Sequence, residues 1–168
     1  MINTLLKRRM ENTKKNKKGF TLVELIVVLV IIAILAAVLV PTVTGYIGKA
    51  KKSAASSELK NICTAVQSAA TDSLDAEGSI KANSTSFVTN CETYGLKKAK
   101  TNCTALVVVD SGTGAIVKAS YKDGSYGASY DGSSYKSGKE SDITDATATA
   151  GQVLVTVNET NITLTAGA

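Results

Sequence analysis

Hydrophobic and polar positions divide this chain into three stretches with different rhythms. Residues 1–19 are polar and basic. Leu25 to Val40 then run without a single polar residue, and with its flanks the apolar zone extends from Phe20 to Val43. As a helix that zone is about 36 Å long, enough to span the ~30 Å hydrocarbon core of a bilayer. Its many β-branched residues would suit a strand in water. In lipid a lone spanning segment must satisfy its own backbone hydrogen bonds, so the helix is expected. Beyond it, Leu59, Ile62, Cys63, Val66, Ala69 and Ala70 recur at spacings of three and four, which places them on one helical face. Lys49, Lys51, Lys52, Glu58 and Lys60 lie largely elsewhere around the helix. The expected element is one long helix over about residues 20–74, ending in the Asp75–Ser79 segment with Gly78 as terminator. Pro41, Gly45 and Gly48 interrupt its middle and predict a soft or kinked junction. Proline removes a backbone donor, and glycine costs a helix about 1 kcal/mol relative to alanine.

The rhythm then changes. Residues 75–104 are irregular and polar and read as loop. Ala105–Asp110 and Ala115–Tyr121 read as strands joined at Ser111–Gly114. Asp123-Gly124 and Asp131-Gly132 are two-residue hairpin turn candidates between tyrosine-bearing segments. Residues 138–150 read as loop, and Gln152–Val157 with Asn161–Thr165 as a last hairpin turning at 158–160. The fold class is therefore α+β: a long N-terminal helix packed on a C-terminal antiparallel sheet. The sheet is rich in Ala, Ser, Thr and Gly, and the helix stripe is the surface it is expected to cover. The domain plan is a basic leader (1–19), an apolar membrane or filament-core helix (20–48) and a globular domain (49–168). That last part divides into an amphipathic helix (49–74), a loop (75–104) and a β module (105–168).

Charge sharpens this plan. The net charge is +5 over 168 residues. Residues 1–19 hold seven basic side chains against Glu11, a net of +6, leaving 12 basic and 13 acidic side chains in the remainder. The basic excess therefore belongs to the leader. It fits retention on the cytoplasmic side of a membrane, and no nucleic-acid partner is implied. The chain has no histidine, which removes His-based acid–base chemistry and the usual His metal sites. No nucleophile–base pair or metal-ligand constellation stands out, so neither an enzyme, a cofactor nor a metal is expected. Three cysteines are too few for a disulfide scaffold. Cys91 and Cys103 are spaced to close a short loop, worth about 3 kcal/mol in the chain-entropy account. An export context permits that bond, whereas a reducing habitat does not sustain it. Cys63 lies on the apolar stripe as a small buried hydrophobe. Tyr121, Tyr126, Tyr130 and Tyr135 admit two readings: a surface-binding strip, or rings covering a thin sheet, of which the second is preferred. Asp123, Asp131, Asp142 and Asp145 match no EF-hand spacing.

One motif carries most of the functional information. Lys17-Lys18-Gly19-Phe20-Thr21-Leu22-Val23-Glu24 stands directly before the apolar run. It resembles the prepilin peptidase site of type IV pilins and related pseudopilins, from the basic leader to Gly before the cut, Phe after it, Glu four residues on and Pro41 within the helix. The resemblance covers about residues 11–70. Met10 offers an alternative start that leaves a shorter leader. An ordinary signal peptide is cut after its apolar region, which is discarded. Here the family-type cut falls between Gly19 and Phe20, so the apolar helix is kept. The resemblance implies methylation of the Phe20 amine by the same peptidase. It also implies that Glu24 pairs with the amine of a neighbouring subunit, setting register in the assembled filament. A carboxylate buried in a filament core requires such a partner.

As a whole the resemblance implies a type IV pilus subunit. It would be a single-pass membrane protein before assembly, N-terminus in the cytoplasm, and a helical homopolymer at the cell surface afterwards, serving adhesion or motility. Implied partners are the prepilin peptidase, an assembly platform protein, minor pilins and, before assembly, membrane lipid. A pseudopilin of a type II secretion or competence system shares this N-terminus and is the nearest alternative. A signal-anchored extracytoplasmic binding module is the alternative from another class. The first mature residue discriminates it.

Overall fold

The computed structural model of the chain describes residues 19–96, 99 and 101–168. The expected leader, apart from Gly19, lies outside the described residues. The chain divides into two units, one ending at Gly45 and the other beginning at Tyr46. A single continuous helix, α1 (Leu22–Glu77), contributes to both. It starts two residues inside the expected bound and ends three beyond it, and its helical pattern continues through Pro41, Gly45 and Gly48.

In the first unit every residue from Gly19 to Gly45 is exposed, including Ile32 at 55 %. Helix α1 is long and apolar enough here to cross a membrane. Pro41 has no N–H to give, so the Ala37 carbonyl one turn back loses its usual donor. Two hydroxyls lie beside that gap: Thr42 Oγ1 donates to the Val38 carbonyl at 3.0 Å and Thr44 Oγ1 to the Pro41 carbonyl at 2.9 Å. Both hydroxyls bond carbonyls next to the gap rather than the Ala37 carbonyl itself.

The second unit is a six-stranded antiparallel sheet against the second half of α1. The strands are β1 (Thr104–Asp110), β2 (Ile116–Lys122), β3 (Tyr126–Tyr130), β4 (Tyr135–Lys139), β5 (Gln152–Val157) and β6 (Ile162–Ala166). Their order across the sheet is β4-β3-β2-β1-β5-β6. The stripe expected from the sequence is buried, with Ala55, Ala65 and Ser73 added to it. It shares one core with the odd-numbered face of β1, Ala105, Val107 and Val109, and with Val155 of β5. Leu59 and Val66 are fully buried, each contributing about 1.5–3 kcal/mol. Gln67 clips the helix to the β1–β2 hairpin. Its Nε2 donates to the Gly114 carbonyl at 2.9 Å, and its Oε1 accepts from the Ile116 N–H at 3.3 Å.

The two parts expected to be loop hold more structure than expected, although 143–150 is loop as the sequence suggested. The segment 75–104 contains a second helix, α2 (Thr85–Thr93), started by Ser84, whose hydroxyl accepts from the Phe87 N–H. Phe87 is completely buried and heads the largest buried side chains, so α2 supplies the bulk that the small residues of the sheet lack. The segment 138–150 begins with the end of β4 and a single 3₁₀ turn at Glu140–Asp142. It then crosses the sheet face away from α1: Ile143 lies over Gly127, and the Ala146 N–H donates to buried Ser120 Oγ at 3.0 Å.

Both Asp-Gly hairpin loops are longer than two residues, and each aspartate side chain closes its own turn. Asp123 Oδ1 accepts from the Ser125 and Tyr126 N–H groups. Asp131 accepts from the backbone of Ser133 and Ser134, and from Lys136 Nζ at 3.2 Å.

Candidate functional site

The chemistry-bearing residues of the first unit gather at the start of α1. Gly19, Phe20 and Thr21 precede the helix, which begins at Leu22. Phe20 is 83 % exposed. Thr21 is the residue before the first helical turn, and Glu24 is the third within it. The two bond reciprocally. Thr21 Oγ1 accepts from the Glu24 N–H at 3.2 Å, while Glu24 Oε2 accepts from the Thr21 N–H and from Thr21 Oγ1, both at 2.8 Å. This is a capping box, which satisfies two of the N–H groups a helix start leaves unpaired. The carboxylate also stands at the positive end of the helix dipole, which favours it.

The resemblance gives Glu24 an intermolecular role only, and the cap is an addition to it. Its signal was nevertheless present in the sequence, as Thr-x-x-Glu before an apolar run. The cap occupies Glu24 Oε2. A carboxylate has acceptor sites on both oxygens, so capping leaves Oε1 available to a second donor. Gly19 has open space where a Cβ would stand. The peptide between Gly19 and Phe20 therefore lies outside the helix, next to a residue without a side chain.

In the second unit the residues singled out from the sequence scatter. Gly48 lies within the helix where Tyr126 rests on it, and a Cβ there would stand 3.3 Å from Tyr126 Oη. The four tyrosines do not form one strip. Tyr121 is buried and its hydroxyl donates to Cys103 Sγ at 3.4 Å. Tyr130 and Tyr135 stack with ring centroids 4.6 Å apart, and Lys60 Nζ stands 5.2 Å over the Tyr135 ring. This pair borders a cleft of about 580 Å³ that also touches Thr64, Gln67 and Ser68.

Cys63, Cys91 and Cys103 are all buried free thiols in this structure. Burial pushes the Cys63 thiol up to about 11 and the Cys91 thiol up to about 12. The aspartates serve turns and two ion pairs. Hydrogen bonds from Ser134 and Ser133 hold the Asp131 carboxyl well below its usual range, and those from Thr113 lower Asp110. Asp145 pairs with Lys122 Nζ at 2.8 Å. Among the described residues no three of His, Cys, Asp and Glu gather as a metal site.

The organised constellation is thus an exposed Gly–Phe peptide leading into a self-capped apolar helix long enough to cross a membrane. The family model described as the prokaryotic N-terminal methylation motif matches residues 14–40. That stretch contains Gly19, Phe20, Thr21 and Glu24, so the chain carries the N-terminal signature of a type IV pilin- or pseudopilin-type precursor. No curated protein and no solved structure matches the chain.

Proposed function

We propose that this chain is the structural subunit of a type IV pilus. It is inserted as a prepilin with residues 1–19 in the cytoplasm and cut between Gly19 and Phe20. It is then methylated on the Phe20 amine, and an assembly platform polymerises it into a helical surface filament. The single observation that carries the reading is the matched motif at the head of a helix whose apolar surface is uncovered from Gly19 to Gly45. An apolar surface of that extent needs lipid or a partner. A helix satisfies its own backbone in either setting, so the same segment serves as membrane anchor first and as filament core later.

In this reading Glu24 has two successive duties. In the stored precursor it caps its own helix. In the filament its second oxygen receives the amine of a neighbour, placing two charges together where neither can be buried alone. Pro41, Gly45 and Gly48 give the helix its adjustable middle.

The test is the mature N-terminus. Mass spectrometry of sheared filaments should find a subunit beginning at Phe20 with one added methyl, and Gly19→Val should leave the precursor uncut in the membrane. A filament subunit that keeps residues 1–19 would sink the proposal.

A further inference from the structure

Lys49, Lys51 and Lys52 are all exposed, and they follow the apolar run directly. Lys49 comes two residues after Ile47, itself 50 % exposed, or about 3 Å further along the helix axis. The three lysines occupy about 4.5 Å of helix. That is thinner than the headgroup layer, roughly 5–8 Å on each side of a bilayer. At about 100° per residue, Lys49 and Lys52 share one flank and Lys51 lies on the opposite one. There Lys51 Nζ stands 5.7 Å over the Tyr126 ring, while Lys49 Nζ stands 6.0 Å over Tyr46.

None of the three has a carboxylate. The ion pairs among the described residues are Lys122–Asp145 and Lys136–Asp131, and the next acid along the chain after Lys52 is Glu58. Three neighbouring like charges repel unless counter-charge comes from outside the chain. A protein partner approaching from one side would meet one flank. A planar anionic layer at the helix exit meets Lys49 and Lys52 on the flank away from Tyr126 and reaches exposed Lys51 at the edge of that ring at the same depth, and Tyr46, 69 % exposed just before the lysines, is the amphipathic ring that favours such an interface.

We infer that Lys49, Lys51 and Lys52 form a collar that gathers anionic lipid headgroups around the helix where it leaves the bilayer. The inference rests on the membrane reading above, and it adds a consequence to it. Before cleavage the leader holds the larger positive charge and dominates orientation. After cleavage the cytoplasmic end keeps only the new amine and Glu24, so the collar becomes the larger positive cluster and grips the opposite leaflet. Storage in the membrane then depends on lipid charge as well as on the apolar helix.

The test uses the full chain in nanodiscs of phosphatidylcholine mixed with phosphatidylglycerol, with the lipids retained on the purified protein counted by native mass spectrometry. The wild type should retain phosphatidylglycerol selectively. Lys49→Gln/Lys51→Gln/Lys52→Gln should lower the ratio of retained phosphatidylglycerol to phosphatidylcholine by about five-fold or more, the factor equivalent to ~1 kcal/mol. Lys81→Gln/Lys118→Gln/Lys139→Gln removes the same charge elsewhere and should leave the ratio unchanged. The leader is common to all three chains, so the difference belongs to the collar. Equal ratios for wild type and collar variant, or an equal loss in the control variant, overturn the inference while leaving the membrane reading intact. A chain that stays out of the discs overturns both.

Discussion

The reciprocal bonds between Thr21 and Glu24 separate two roles that a single substitution would confuse. Thr21→Ala removes the capping hydroxyl, at a cost of about 1 kcal/mol to the helix start, and leaves the Glu24 charge in place. Glu24→Gln keeps a capping-box side chain but no charge. Glu24→Val removes both. If the proposed pairing with a neighbour's amine governs assembly, Thr21→Ala subunits should enter filaments nearly as well as wild type. Both Glu24 variants should be cut and stored normally yet remain in the membrane. The ratio of sheared to membrane-bound subunit measures this, and a Gln variant that assembles like wild type would reduce Glu24 to its cap. The thiols allow a second test at this scale. Cys63, Cys91 and Cys103 are buried, and burial disfavours the thiolate of the first two. Iodoacetamide at neutral pH should therefore label none of them in the native chain and all three after denaturation.

Among the elements, β2 and the crossing segment after β4 together leave no room for a side chain at Gly127. A Cβ on Gly127 would stand 2.5 Å from the Tyr121 carbonyl oxygen and 3.0 Å from Ile143 Cγ1. Gly127→Ala should destabilise the second unit by about 1–3 kcal/mol, read as a lowered unfolding midpoint in denaturant. A wild-type midpoint would show that neither the Tyr121 carbonyl nor Ile143 is held against Gly127. Nothing in the sequence announces this contact, because Ile143 is an isolated apolar residue in a polar stretch and its partner has no side chain. Helix α2 escaped for a related reason. In nine residues it offers only Phe87 and Cys91 as fully buried anchors, one turn apart, too little for a periodic pattern to form. The long stripe on α1 was legible because it repeats turn after turn, β5 because its alternation survives burial, and β1 because it is a short apolar run bounded by turn residues. At the candidate site the Gly19–Phe20 peptide and Glu24 were legible as a motif. The bond from Glu24 back to Thr21 was hidden behind the intermolecular role, which already accounted for the charge. Gly48 has the sequence character of a weak point in the helix; its neighbour Tyr126 lies far along the chain, and only the fold brings them together.

At the scale of the whole molecule, two buried thiols and the partly desolvated Tyr135 phenol couple stability to alkaline pH. Each is held protonated by the fold. The Cys63 thiol rises from 9.0 to about 11, the Cys91 thiol from 9.0 to about 12, and the Tyr135 phenol from 10.0 to about 12, all chiefly through burial. Above the ordinary values the unfolded chain loses protons that the folded chain keeps, so stability falls with rising pH. The unfolding midpoint should be insensitive to these groups below pH 9 and drop progressively from 9.0 towards about 12. Cys63→Ala/Cys91→Ala should flatten the first part of that drop, and an unchanged curve would show that the thiols carry no such linkage.

The second unit is tied to its helix at several heights. Gly48 is covered by Tyr126, Lys60 stands over Tyr135, Gln67 bonds the β1–β2 hairpin, and Tyr94 donates to Asp72. These attachments are spread over about 36 Å of α1. Tension applied along the axis loads all of them in shear at the same moment, so the force on each is a fraction of the total. A sideways pull at one end opens them in sequence, like a zip, with the whole force on one attachment at a time. The domain is accordingly built to withstand drag along its helix far better than prying across it.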